Sequence, residues 1–199
     1  MLNQPQIRAM IFAVHGGVAL ACGLAVLYLS LLAKNPFISA MAIVIALVLC
    51  GAAITLAGIA DWFAAAETGK RNLQQILLYA LAGICFVTAG SFLGFSSSAT
   101  LQILLLLVIA HGLIFGALGL LSALRLQPKG LDAAIIVIFS LLSIGIAGWM
   151  AGFIREWNDR TALIWVGAYL CLVGAKLIFF AEDERYHALH PRVSLLKDR

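Results

Sequence analysis

Polar and charged side chains fall into narrow clusters along the chain, and between them lie six long, almost uninterrupted apolar segments. The segments run at about 9–33, 38–60, 74–95, 100–124, 132–154 and 162–181. Each is long enough, at ~1.5 Å of rise per residue, to cross the roughly 30 Å of a bilayer's hydrocarbon as a helix. The connections are short: Lys34 to Phe37, Asp61 to Leu73, Ser96 to Ala99, Arg125 to Leu131 and Arg155 to Thr161. No soluble domain fits between the helices, so function must lie in the membrane region, its two faces, or the charged tail 182–199.

Each segment also carries one pair of glycines seven residues apart. The pairs are Gly16/Gly23, Gly51/Gly58, Gly83/Gly90, Gly112/Gly119, Gly145/Gly152 and Gly167/Gly174, which together use twelve of the 18 glycines. Seven residues are two helical turns, so each pair marks one face of its helix. Membrane helices associate by close packing, because lipid tails offer no hydrophobic exclusion, and a face without side chains lets backbones approach. The glycine pairs are therefore expected to be helix-packing positions.

Aligned on these pairs, the even segments read GAAITLAG, GLIFGALG and GAYLCLVG, and the odd ones GGVALACG, GICFVTAG and GIAGWMAG. The alignment implies three copies of one helical hairpin, about 9–60, 74–124 and 132–181, all starting from the same side of the membrane. Parallel repeats of this kind relate by an axis along the membrane normal. The predicted fold class is an all-α integral membrane protein of six transmembrane helices, forming one domain over 1–181.

Composition agrees: 63% of residues are apolar and 11% charged, and mean hydropathy is +1.06. Basic residues orient the chain. With a cytoplasmic N-terminus, nine lie inside (Arg8, Lys70, Arg71, Arg125, Lys129, Arg185, Arg192, Lys197, Arg199) and three outside (Lys34, Arg155, Arg160), with Lys176 in a span. The positive-inside rule then puts both termini in the cytoplasm. This asymmetry accounts for most of the basic charge without a nucleic-acid partner. Trp149, Trp157 and Trp165 lie toward the expected outer face and Trp62 toward the inner one, as an interfacial aromatic belt requires. Cys22, Cys50, Cys85 and Cys171 all fall within spans with no CxxC spacing, which reads as packing rather than disulfide or metal chemistry.

The glycine-paired odd helix ending near Asn35-Pro36, the glycine-paired even helix before a charged loop, and above all the stretch Trp165-Val166-Gly167-Ala168-Tyr169-Leu170-Cys171-Leu172-Val173-Gly174 resemble the HdeD-like acid-resistance membrane proteins. The resemblance covers nearly all of the six-helix region. It implies a non-enzymatic protein of the bacterial inner membrane with a role in acid or membrane stress, and carries no catalytic motif. Asn-Pro follows only the first odd helix, and the charged tail is long.

Four ionisable groups lie in or at the edge of the spans: His15, Asp61, His111 and Lys176. Charge is expensive in hydrocarbon, so these are the candidate intramembrane polar or proton-linked residues. Lys176 either snorkels to the interface or pairs with Asp61, which the repeat alignment sets at nearly the same depth. Each histidine either hydrogen-bonds a neighbouring helix or senses protons, since imidazole titrates between pH 5 and 8. His187 and His190 read as part of a solvated tail. No P-loop, G-x-S-x-G, HExxH or pair of carboxylates occurs within the spans, so no catalytic, cofactor or metal residue is expected. Two other function classes stay open: a small proton or solute carrier, and an accessory subunit of a larger membrane complex. The expected partners are the lipid bilayer and a second copy or another membrane protein.

Overall fold

The computed structural model describes residues 4–67, 73–96, 100–126 and 131–189. For 4–8, 60, 61, 64, 65, 67, 73–75, 78, 79, 82, 118, 119, 122–126, 131–133, 183, 184 and 186–189 it describes the backbone alone. The protein is all-helical: α1 Gln4–Leu32, α2 Pro36–Glu67, α3 Leu73–Phe95, α4 Leu101–Leu126, α5 Leu131–Phe153 and α6 Asp159–Leu189. The shortest have 23 residues, about 35 Å at ~1.5 Å per residue, enough to span hydrocarbon. Among the described residues, Ala9–Leu32, Pro36–Ile59, Ala134–Phe153 and Asp159–Glu182 are apolar over a full membrane thickness, and α3 and α4 add the apolar stretches Gly83–Phe95 and Leu101–Ala117. The chain is an all-α membrane protein.

Helix boundaries depart from expectation mainly at the polar ends. The second helix runs on through Asp61 to Glu67, and the sixth to Leu189, so the helix extends past Ala181 into the charged segment. A helix satisfies its own backbone whether or not lipid surrounds it, so hydropathy marks the membrane-embedded part and not the end of the helix.

The even helices start alike. Asn35 Oδ1 accepts the Ile38 N–H at 2.9 Å, Thr100 Oγ1 accepts the Ile103 N–H at 3.3 Å, and Asn158 Oδ1 accepts the Thr161 N–H at 2.8 Å. Each is a side-chain N-cap three residues before the amide it satisfies. Pro36 follows Asn35 at the first helical position, where a missing N–H costs nothing. At α2 and α6 the two starts also touch, the Ser39 hydroxyl donating to Asp159 Oδ2 at 3.3 Å.

The chain divides into two compact units, each built from pieces of several helices. The first comprises Met1–Cys22, Val48–Ser96 and Val173–Arg199, and the second Gly23–Leu47 and Ser97–Leu172. Within the first unit, glycines of α1 meet glycines of α6. A Cβ on Gly16 would stand 2.9 Å from the Gly174 carbonyl oxygen, and one on Gly174 2.8 Å from that of Gly16. Likewise Gly58 and Gly83 oppose each other between α2 and α3, with a Cβ on either 2.6–2.7 Å from the other's carbonyl oxygen. Cys50 and Leu93 are buried within the same unit.

Within the second unit the same relation joins α1 to α6 through Gly23 and Gly167, where a Cβ on either would come within 2.9 Å of the other's carbonyl oxygen. The α4–α5 contact is built differently. A Cβ on Gly112 would meet Ala147 Cβ at 2.8 Å, and one on Gly116 would meet the Ser140 carbonyl oxygen at 2.9 Å. Gly145 and Gly152, expected to be packing positions, have nothing within 4 Å of an added Cβ, and neither has Gly148. The reason is rotational. Ser140, Ser143 and Ala147 share one face of α5 and are buried there, whereas Gly145 is two residues, about 200°, away from both Ser143 and Ala147. Gly119 lies outside the residues whose surroundings are described.

Candidate functional site

Gly112 opens space in α4 that an aromatic ring from α6 occupies. A Cβ on Gly112 would lie 3.2 Å from Cε2 of Tyr169, and Tyr169 itself is only 2% exposed. Its hydroxyl shares a hydrogen bond with Nδ1 of His111 at 2.5 Å. That nitrogen is the one hydrogen-bond partner of the Tyr169 hydroxyl among the described residues. A buried O–H seldom goes without an acceptor, which assigns Tyr169 as donor and His111 as neutral imidazole accepting at Nδ1. Phe115, one turn along α4, stacks on the imidazole with ring centroids 4.3 Å apart and planes at 26°. The pair thus ties α4 to α6 inside the second unit. Nearby on α5, the Ser143 hydroxyl donates back to the Phe139 carbonyl at 2.8 Å, while Ser140 Oγ is fully buried with no partner among the described residues.

Three tryptophans lie around the α5–α6 connection. Trp165, four residues before Tyr169 on α6, stacks on Trp157 with centroids 5.9 Å apart and planes at 12°. It lies 6.4 Å from Trp149, which in turn packs on Phe153 at 4.3 Å. Trp149 is half exposed. With Leu142 and Gly145, the rings of Trp149 and Trp165 line an apolar groove of about 480 Å³. The other tryptophan, Trp62, serves the α2–α3 seam, donating from Nε1 to the Ala80 carbonyl at 3.3 Å and closing over Gly83.

The other three candidates, His15, Asp61 and Lys176, belong to the first unit. His15 on α1 lies beside the Leu56 and Ala57 carbonyls of α2, yet its buried Nε2 meets no partner with hydrogen-bond geometry among the described residues. Lys176 on α6 is half-buried and carries its Nζ 5.9 Å from the centroid of Phe180, one turn further on, a cation–π distance. Asp61 belongs to α2, but its side chain lies outside the described residues, and with it the pairing to Lys176. His190 is outside them too. The four cysteines are free thiols, and Cys22 Sγ donates weakly to the Leu49 carbonyl at 3.7 Å. Among the described residues no three His, Cys, Asp or Glu side chains cluster as metal ligands would.

The His111–Tyr169 pair was only half visible in the sequence. His111 stands out as a histidine in an apolar run, but Tyr169 reads there as one more aromatic in a span. The available signal is that His111 precedes Gly112 while Tyr169 follows Gly167 by two, so the repeat alignment sets the two side chains at similar depth in equivalent helices. Gly116 was missed because it stands four residues from Gly112, whereas the repeat spacing is seven. No protein-family model, no curated protein and no solved structure matches this chain.

Proposed function

We propose that this chain is a non-enzymatic bacterial inner-membrane protein of the HdeD-like type, with both termini cytoplasmic, acting in acid or membrane stress. The observation that carries the reading is the buried hydrogen bond between His111 and Tyr169. As long as the imidazole is neutral, Nδ1 accepts the phenolic proton and α4 is tied to α6. A protonated imidazole has no acceptor left at Nδ1, so the bond must reverse: Nδ1–H donates to the phenolic oxygen, the Tyr169 O–H loses its acceptor, and a charge is placed in the helix-packing layer. Such a pair converts proton uptake into a change of helix packing. Glycine-to-glycine seams make that packing sensitive, since small shifts there are transmitted rather than absorbed.

A strain lacking the gene, challenged at low pH, tests the reading. Survival should fall, return with the wild-type gene, and return incompletely with His111→Phe or Tyr169→Phe carried by protein that still accumulates in the membrane. Undiminished survival of the deletion strain would remove the acid-stress role. Full rescue by both variants would detach that role from this pair.

A further inference from the structure

We propose that Trp149, Trp157 and Trp165 with the Tyr169–His111 pair form a one-electron relay, which draws an oxidising equivalent from a lipid peroxyl radical at the membrane surface into a buried, proton-coupled tyrosine. This goes beyond the stress reading above and does not depend on it. The geometry has three parts. The rings of Trp149 and Trp157 lie 6.4 Å and 5.9 Å from that of Trp165, so an electron can step between them in short hops. Trp165 and Tyr169 stand four residues apart on α6, one above the other on the same helix face. At the buried end, Tyr169 is only 2% exposed and its hydroxyl is already hydrogen-bonded to His111 Nδ1.

The last feature gives the relay its direction. A phenol becomes strongly acidic when it loses an electron, so a tyrosine with a base in contact is easier to oxidise than one without, and easier than a tryptophan that keeps its proton. Trp149 is half exposed and shares an apolar groove wall with Trp165, whereas Tyr169 is buried. A lipid-borne radical therefore meets a tryptophan first and the tyrosine last.

Electrons and protons balance as follows. The peroxyl radical takes one electron from Trp149 or Trp157 and one proton from interfacial water, becoming a lipid hydroperoxide and leaving a hydroxide ion whose charge balances the imidazolium formed at the buried end. The tryptophan radical cation is refilled through Trp165 by Tyr169. As Tyr169 loses its electron, the O–H bond breaks and the proton moves to His111 Nδ1, forming the N–H bond. What remains is a neutral tyrosyl radical hydrogen-bonded to an imidazolium. The proton stays on the imidazole, hydrogen-bonded to the radical oxygen. Phe115 stacked on His111 keeps the imidazole against the phenol throughout.

The test uses the full chain in nanodiscs, with Tyr28, Tyr79 and Tyr186 changed to Phe so that Tyr169 is the remaining tyrosine. Ruthenium(III) tris-bipyridyl, generated by flash-quench in the aqueous phase, supplies the oxidant, and the radical is read by electron paramagnetic resonance after freezing. A tyrosyl signal is expected. Tyr169→Phe should replace it with a tryptophan signal, and Trp165→Phe and His111→Gln should each reduce its yield severalfold in protein whose melting temperature shows that it is folded. An undiminished tyrosyl yield in either variant would overturn the relay. In vesicles of unsaturated phospholipid with an azo initiator, wild-type protein should delay conjugated-diene formation and Tyr169→Phe should not. A tyrosyl signal without that delay would overturn the lipid peroxyl assignment.

Discussion

Gly51 and Gly90 face each other so closely that neither can carry a side chain: a Cβ on Gly51 would stand 2.7 Å from the Gly90 carbonyl oxygen, and one on Gly90 2.5 Å from that of Gly51. The atoms in the way are backbone, which no rotamer change can move. Thr55 adds to the constraint by donating to the Gly51 carbonyl at 2.9 Å, so its side chain is held over Gly90. Gly51→Ala and Gly90→Ala should therefore each lower the melting temperature in detergent, at a cost of about 1–3 kcal/mol typical of overpacked sites. Unchanged melting in both would mean that the α2–α3 seam is not formed as described.

On α5 the same substitution should go the other way. Gly145 and Gly148 have nothing within 4 Å of an added Cβ. Alanine there meets no neighbour within the chain and brings up to about 1 kcal/mol of helix propensity. Gly145→Ala and Gly148→Ala should hold or raise the melting temperature, while Ala147→Leu, directed at Gly112, should lower it. A loss of stability at Gly145 equal to that at Gly51 would show that something outside the chain packs on this face.

These two outcomes also separate what was legible in the sequence from what was not. Six membrane helices followed from the length of the apolar runs, because a span must exceed a fixed thickness. Asn35-Pro36 marked the end of the first odd helix, but the caps that Asn35, Thr100 and Asn158 form on the even helices are not marked by the apolar pattern. The glycine pairs showed that backbones approach, but not which ones, since the same pair recurs in all six helices and cannot name its partner. The facing pairs are α1 with α6, α2 with α3, and α4 with α5. On α5 the repeat misled, because closeness requires small side chains rather than glycine as such, and Ser140, Ser143 and Ala147 supply them on another face. The hydrogen bond between His111 and Tyr169, 58 residues apart, is set by tertiary packing that no local pattern encodes.

The energy of that hydrogen bond is open to direct measurement. His111→Leu and Tyr169→Phe, alone and combined, form a double-mutant cycle read as reversible unfolding in detergent. Interhelical hydrogen bonds in membranes couple by about 0.6 kcal/mol on average and up to about 1.7, and burial of Tyr169 puts this pair toward the upper end. Strict additivity would mean that the two side chains do not meet.

Lys176 offers a smaller effect of the same kind. Its Nζ lies 5.9 Å from the Phe180 ring on the next turn, and the side chain is half-buried. Cation–π contacts contribute about 0.5–1 kcal/mol at exposed sites and about 2 when desolvated. A cycle of Lys176→Met and Phe180→Leu should show coupling within that range, and the single Lys176→Met change should be well tolerated because methionine keeps the apolar stem. Zero coupling would free the ammonium from Phe180 and return Asp61 to consideration as its partner.

The orientation in the membrane rests on nine basic residues against three, and each connection can be interrogated separately. Six helices of spanning length require the chain to change sides at every connection, so the three turns that end in the caps Asn35, Thr100 and Asn158 must share one side. Those turns hold only Lys34, Arg155 and Arg160, whereas Lys70, Arg71, Arg125 and Lys129 occupy the two turns opposite. Reporter fusions after Asn35, Ser97 and Asn158 should therefore be active as periplasmic alkaline phosphatase and dark as green fluorescent protein. Fusions after Arg71, Lys129 and Arg199 should show the reverse. Moving charge supplies the sharper test: replacing Lys70, Arg71, Arg125 and Lys129 with Gln removes the bias in the two basic turns, and a mixed or inverted reporter pattern should follow. If the wild-type C-terminus reports as periplasmic, the basic asymmetry does not orient this chain. The capped turns would then face the cytoplasm, with Trp149, Trp157 and Trp165 on that side.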